Sequence, residues 1–303
     1  MECIYELKSS LTVQQSADRT TQFHKVIKNG YFLRLSDNKI IQRFRCITCK
    51  RSFSTESTHP CCYQKKRIYN QAVFELLCSG VSLRRSAHIL RLNRKTIVRK
   101  FLFLGRYSQI KINERKHLFG KSDIGTMVFD DMESFEHTKC KPIAISLAVE
   151  EKTRLILDFK VASMPAKGLL VKKALKKYGK RKDDRPQSRK ALFKGLQHVL
   201  SKNPVIKSDM STHYSVDIKK YFPGCRHITY KGRKGCVVGQ GELKAIGFDP
   251  LFSLNHTAAM LRANINRLFR RTWNTTKKIE NLGYHIALYV LYHNYKIQFN
   301  EIN

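Results

Sequence analysis

The fold turns on one stretch, Thr126-Met127-Val128-Phe129-Asp130-Asp131-Met132-Glu133-Ser134-Phe135. Met127, Val128 and Phe129 are consecutive, bulky and apolar, as in a buried strand. Two carboxylates follow at once. A charge at the end of a buried strand is costly unless something neutralises it, and a divalent cation held by oxygen ligands is the usual partner. A plainer alternative is a turn at the strand end with both acids in water. This stretch alone does not separate the two.

The residues downstream supply a context. Residues 126–131, 142–149 and 154–161 read as three short strands with tight connections, which suggests an antiparallel meander. A very basic run follows from Lys167 to Lys190, and 191–200 has a helical pattern. Residues 204–209 then read as a second buried strand ending on an acid, Asp209. A helix over 211–221 stops at Pro223-Gly224, and 226–230 is a fifth short strand. Three meander strands, then helix, strand, helix, strand and more helices, give an α/β class. The order is that of a ribonuclease-H-like mixed sheet with flanking helices, over 123–303. In such a sheet the first and fourth strands are neighbours, so Asp130 and Asp209 are expected to converge. Two carboxylates side by side repel unless a cation bridges them.

A third ligand is expected from a later helix over 254–273. At 100° per residue, Asn255, Arg262 and Asn266 fall near one line with Arg270 beside it. Ala258, Leu261, Ile265, Leu268 and Phe269 form an apolar arc, and Arg267 and Arg271 a further basic face. Asn255 is the candidate near the metal, with the arginines on phosphates. Glu242 competes: Glu is the stronger ligand, but it sits in Gly239-Gln240-Gly241-Glu242, which reads as a loop. An ordinary amphipathic surface helix would show the same apolar arc.

Upstream, Asn29-Gly30 reads as a turn between two extended runs, the second of which leads into Cys46-Ile47-Thr48-Cys49. A Cys-x-x-Cys on a tight turn is half of a zinc ribbon, so residues 1–63 are expected to form a zinc-ribbon-like module. Zinc at Cys46 and Cys49 needs two more ligands. Cys3 and His24 upstream, and His59, Cys61 and Cys62 downstream, lack clean spacing; the alternative is a ribbon without metal. From 64 to 108 the pattern is helical. One helix carries Val73, Phe74, Leu76 and Leu77, and Ser82 is placed to cap a second. A third, over 94–104, carries Arg94, Lys95, Thr96, Arg99 and Lys100 on its exposed side. Three short helices with a basic last one read as a helix-turn-helix that binds DNA. Residues 109–122 read as a charged linker.

Composition agrees with such a partner. The chain has 303 residues, with 58 Lys and Arg against 23 Asp and Glu, for a formal net charge of +35. That balance calls for a polyanion, and double-stranded DNA is the simplest. No apolar run approaches the roughly 18 residues of a membrane span. The first ten residues lack a signal-peptide pattern, and nine cysteines, an odd number, suggest reduced thiols. The expected location is therefore cytoplasmic.

With these motifs in order, the chain resembles the transposases of bacterial insertion sequences that join a zinc ribbon, a helix-turn-helix and a ribonuclease-H-like core. The resemblance is carried by 43–54 around Cys46 and Cys49, by 129–137 around Asp130, and by Ser208-Asp209. Gly232-Arg233-Lys234-Gly235 and the run from Asn255-His256-Thr257 to Arg270-Arg271-Thr272-Trp273 complete it. It implies that Asp130 and Asp209 are the first two catalytic acids and that Asn255 occupies a position held by Glu or Asn. It implies two Mg²⁺ or Mn²⁺ ions at these three residues, terminal inverted repeats and target DNA as substrates, and a homodimer or larger synaptic complex at the bacterial nucleoid. Two departures stand out: the first cysteine pair of the ribbon is absent, and Met210 follows Asp209 where Gly is common. Outside this resemblance, a DNA-binding regulator without catalysis would need only the first 105 or so residues. A structure-specific nuclease on the same fold would cleave without joining strands.

Overall fold

The computed structural model describes residues 25–118, 124–231, 249–269 and 272–300. The chain divides into two compact units, Met1–Gln71 and Ala72–Asn303.

The first unit holds a three-stranded antiparallel sheet of β1 (Val26–Arg34), β2 (Lys39–Cys46) and β3 (Ser52–Ser54), in that order. Asn29-Gly30 is not the hairpin turn. It lies inside β1 at a register shift, with Gly30 at φ 70° and its carbonyl accepting from Gln42 Nε2 at 2.8 Å. A glycine free to adopt positive φ lets one strand carry an extra residue, so the turn signal became a bulge. The reversal comes later and ends on Asn38 at φ 51°. Phe44 stacks on Phe53 (centroids 5.7 Å apart) to form a small core with Cys46. Arg34 and Arg67 alternate with Asp37 and Glu56 in a ring of ion pairs of 2.6–3.1 Å that pins the hairpin to the segment after it.

The second unit takes in all but the first two residues of α1 (Asn70–Cys78), then α2 (Leu83–Ile89) and α3 (Arg94–Leu118). Ser82 caps α2 as expected, accepting the Arg85 N–H at 3.2 Å. The expected linker over 109–122 is helical as far as Leu118, because Ile112 continues the buried line of Ile97, Phe101 and Leu104. These helices share one core with the sheet and with α8 (Ile279–Asn300), rather than forming a separate module. Gly105 allows the close α3–α8 crossing: an added Cβ would stand 2.5 Å from Tyr284 Cβ.

The sheet contains β4 (Ile124–Phe135), β5 (Pro142–Glu150), β6 (Ile156–Ser163), β7 (Leu200–Asp209) and β8 (Arg226–Tyr230), in the order β6-β5-β4-β7-β8. β4, β5 and β6 pair antiparallel; β7 is parallel to β4, and β8 to β7. The unit is thus mixed α/β, with an order compatible with a ribonuclease-H-like arrangement. β4 lies centrally because it is apolar on both faces. Val128 and Met132 join the core beneath α7 (Phe252–Asn264) and α8; Met127 and Phe129 join that beneath α5 (Arg185–Leu196) and α6 (Thr212–Tyr221). Between β6 and α5 lies a short basic helix, α4 (Leu170–Tyr178).

The helix expected over 254–273 is shorter. α7 ends at Asn264, Ile265 is extended (φ −105°, ψ 107°), and short 3₁₀ turns follow at Asn266–Leu268 and Thr272–Asn274. The break lets both Ile265 and Leu268 enter the core, while Asn264 bonds back to the Met260 carbonyl (2.9 Å) and Asn266 to the Gly80 carbonyl (3.2 Å). The predicted polar line therefore holds only from Asn255 to Arg262. The sequence reading had left α8 unplaced. Its Asn294 side chain pairs with both the N–H and the C=O of Ile156 at 2.9 Å each, closing the edge of β6. Among the described residues no helix is long and apolar enough to cross a membrane.

Candidate active site

The register decides what β4 and β7 bring together. Phe129 pairs with Ser208 in the parallel ladder, so the next residues, Asp130 and Asp209, are lateral neighbours. Side chains alternate along a strand, so Asp130 belongs to the face of Val128 and Met132. That is the face covered by α7.

Asp130 Oδ1 accepts the Asp131 N–H at 2.7 Å and the Tyr214 hydroxyl at 3.2 Å. Its pKa is nevertheless pushed up to about 7, first by burial and then by the negative charge of Asp209. Asp209 Oδ1 accepts the Ser211 N–H at 3.0 Å. Met210 is 61 % exposed and so turns away from the core. The donors are oxygens, and Asp130 holds its proton more tightly than an ordinary carboxyl because it is buried and faces a second anion. A hard divalent cation relieves the same conflict, so these residues fit Mg²⁺ or Mn²⁺. Among the described residues no cluster of three or more His, Cys, Asp or Glu side chains is placed to hold a metal. Any further protein ligand here would have to be a neutral oxygen or come from outside the described residues, where Glu242 lies.

Asn255 is exposed on α7, the helix over the Asp130 face. Its Nδ2 donates to Asp249 Oδ2 at 2.8 Å rather than to either aspartate, which leaves its Oδ1 as the acceptor end. The register thus makes the two acids lateral neighbours and brings Asn255 only as far as the covering helix.

Asp131 points to the other face and has a different employment. It accepts the Ser146 hydroxyl at 2.5 Å and faces Arg189 at 4.0 Å. Arg189, 6 % exposed, bonds Asp217 at 2.7 Å and lies 5.3 Å over the Tyr214 ring. Burial and the neighbouring acids hold the Tyr214 hydroxyl far above its ordinary pKa, so it stays a donor. Sequence reasoning missed Tyr214, Arg189, Asp217 and Ser146. Arg189 was hidden inside the basic run, and the one available signal was Tyr214, in the first turn of the helix that follows Asp209. Glu133 pairs with Lys167 (2.5 Å) and Glu136 with Arg181 (3.0 Å), so both are engaged outside the pair.

Of the basic residues singled out, Arg94, Lys95 and Arg99 are exposed and Thr96 half-exposed. Lys100 is not: at 2 % exposure it lies one turn from buried Ile97 and beside buried Phe101, on the inward side of α3. Arg267 also turns inward, donating to the carbonyls of Asn274 (3.2 Å) and Thr275 (3.5 Å). Burial, and then nearby Arg94, lower its pKa. Arg262 is half-buried beside Met132 and Glu133. Arg270 and Arg271 lie outside the described residues, as do the 232–235 motif, Cys3 and His24.

Cys46 is fully buried, and the Cys49 N–H donates to its sulfur at 3.4 Å. The two cysteines therefore share one turn, with Cys46 packed in the small core of Phe44 and Phe53. Downstream, His59 Nδ1 accepts the Cys61 N–H (3.0 Å), and Asn70 donates to Cys61 Sγ (3.5 Å), so both are bound up in their own turn.

No protein-family model matches the chain, and a search of curated proteins likewise finds no match.

Proposed function

We propose that this chain is a DNA transposase that binds terminal inverted repeats and carries out metal-dependent strand cleavage and strand transfer on a ribonuclease-H-like core. The observation that carries the reading is the parallel register that sets Asp130 beside Asp209, with the proton affinity of Asp130 raised first by burial and then by that neighbour. The strand order, the net charge of +35 and the exposed Arg94, Lys95 and Arg99 on α3 support it.

Asp130 and Asp209 would hold Mg²⁺ or Mn²⁺, with Asn255 or Glu242 as the third ligand. Bound there, such ions supply an activated water and charge stabilisation for in-line attack on a phosphodiester. The chain's own residues do the rest. Tyr214 holds one oxygen of Asp130 and so orients the other. Arg189 fixes Tyr214 and Asp217 from behind. The exposed cations at the start of α3 take the phosphates of the duplex, and the half-buried Arg262 extends the basic surface toward the end of β4. Zinc at Cys46 and Cys49 would brace the β2–β3 turn. Assembly on two DNA ends calls for a homodimer or larger, in a bacterial cytoplasm at the nucleoid.

The deciding experiment is Mg²⁺- or Mn²⁺-dependent cleavage and joining of a DNA end bearing the element's flanking repeat. Wild type is compared with Asp130→Ala, Asp209→Ala and Asn255→Ala. Joining lost in all three supports the assignment; loss in the aspartate variants alone moves the third ligand to Glu242. Binding without cleavage by wild type returns the chain to a regulator, and cleavage without joining to a nuclease.

A further inference from the structure

Helix α4 interrupts the sheet unit between β6 and α5, and it is poorly seated. Of its nine residues only Ala174 is buried. Leu169 just before it is fully exposed, Leu175 is 51 % exposed and Val171 37 %. Beneath the helix runs an open groove of about 820 Å³, bounded by Cys140, Lys141, Ala174 and Tyr178. Lysines rim it. Lys141 Nζ lies 4.7 Å from the Tyr178 ring centroid and Lys177 Nζ 5.5 Å. Lys172, Lys173, Lys176 and Lys180 are exposed and have no acidic partner among the described residues.

A helix whose charge is merely solvated has no need to stand off the body over an apolar floor. Exposed apolar surface that packing has not filled marks a place for a ligand. The rim says the ligand is anionic. The groove is of small-ligand size, which excludes a duplex and fits a few units of one strand. An aromatic ring among lysines is the pattern by which single strands are held, with bases on the ring and phosphates on the cations. The location agrees. The groove opens where β4 ends and β5 begins, about 16 Å along β4 from Asp130 at 3.3 Å per residue. Asp209, level with Asp130 in the parallel ladder, lies about as far from the groove.

We infer that the groove under α4 binds single-stranded nucleic acid, and that it holds the strand freed near Asp130 and Asp209. The inference rests on the proposed function for the source of that strand, but its test does not.

Full-length protein in EDTA is titrated into a fluorescein-labelled oligo(dT) of about 16 nucleotides, with anisotropy as the readout. Lys177→Glu/Lys180→Glu is expected to weaken binding at least about tenfold and to flatten the salt dependence by between one and two counterions. A matched pair elsewhere, Lys219→Glu/Lys220→Glu at the exposed end of α6, is expected to leave it nearly unchanged. Tyr178→Ala should weaken binding and Tyr178→Phe retain it. A 5-iododeoxyuridine oligonucleotide should photo-crosslink to Tyr178. Equal losses from both charge-reversal pairs would mean diffuse attraction to a basic protein and would overturn the inference. So would a duplex of the same length that competes equally well. Because no metal or cleavage is involved, a chain that binds here but never cuts sinks the transposase reading and keeps the groove. A chain that cuts but ignores these variants does the reverse.

Discussion

Tyr214 does two jobs at once. Its ring packs edge-on against Phe129, with centroids 4.9 Å apart, and its hydroxyl bonds Asp130. Tyr214→Phe separates them. The ring contact survives, so stability should fall by only about 1 kcal/mol, the worth of one hydrogen bond. Cleavage should fall by roughly 10–100-fold, as when a group that orients a metal ligand is lost. A variant with full activity in a single-turnover assay would mean Asp130 needs no such support. Arg189 behaves in the opposite way. Arg189→Met leaves the buried Asp217 without its cation, so urea melts should show a loss of about 3–5 kcal/mol. A shift below 1 kcal/mol would show that water screens the pair. Neither residue was legible in the sequence, since a tyrosine after an acid and an arginine among lysines are common. The two aspartates were legible because a carboxylate directly after buried residues is not.

Elements were read best where one pattern governed the whole segment. β7 was found because it is apolar and then stops on an acid; β4 was found from its apolar start but read too short, since it runs on past Asp130 and Asp131 to Phe135 in pairing with β5. α7 was read too long because the apolar spacing continues past Asn264 in residues that reach the same core through an extended kink. Lys100 was misplaced because in isolation a lysine on a basic helix reads as exposed. The α3–α8 crossing depends on a residue that gives no periodic signal at all. Gly105→Ala places a methyl group 2.5 Å from Tyr284 Cβ and should destabilise by about 1–3 kcal/mol, whereas Ala in a helix would ordinarily stabilise. A raised melting temperature would contradict the crossing. Beside it, His285 on α8 is 5 % exposed and 4.3 Å from the Phe101 ring. Burial, then Arg267, lowers its pKa from 6.5 to about 3. The folded chain therefore binds fewer protons than the unfolded chain below pH 6.5. The resulting stability is complete above pH 6.5 and is lost as pH falls toward 3. His285→Gln should flatten that acid limb in melts taken between pH 6.5 and 4, relative to wild type; parallel curves would assign the limb to other groups.

For the whole molecule, a charge of +35 acts on folding and binding with opposite signs. Self-repulsion opposes the compact state, so added salt should raise the melting temperature before other effects enter. The same salt should weaken DNA binding steeply, since each phosphate contact releases a counterion. Calorimetry and anisotropy over one salt series test both. A melting temperature that falls, or an affinity that stays flat, would show that the cations are already paired.

α3 carries a consequence of its own. It is one helix of 25 residues, with Arg94 and Lys95 in its first turn and its later turns built into the body of the unit. A rod about 37 Å long at 1.5 Å per residue leaves no slack between grip and blade. On the proposed reading it works as a ruler: the place where the duplex is held fixes how far away it is cut. Each residue inserted near its start would turn the grip by about 100° and advance it by about 1.5 Å. The cut would then step to a new phosphate or vanish, instead of blurring over several.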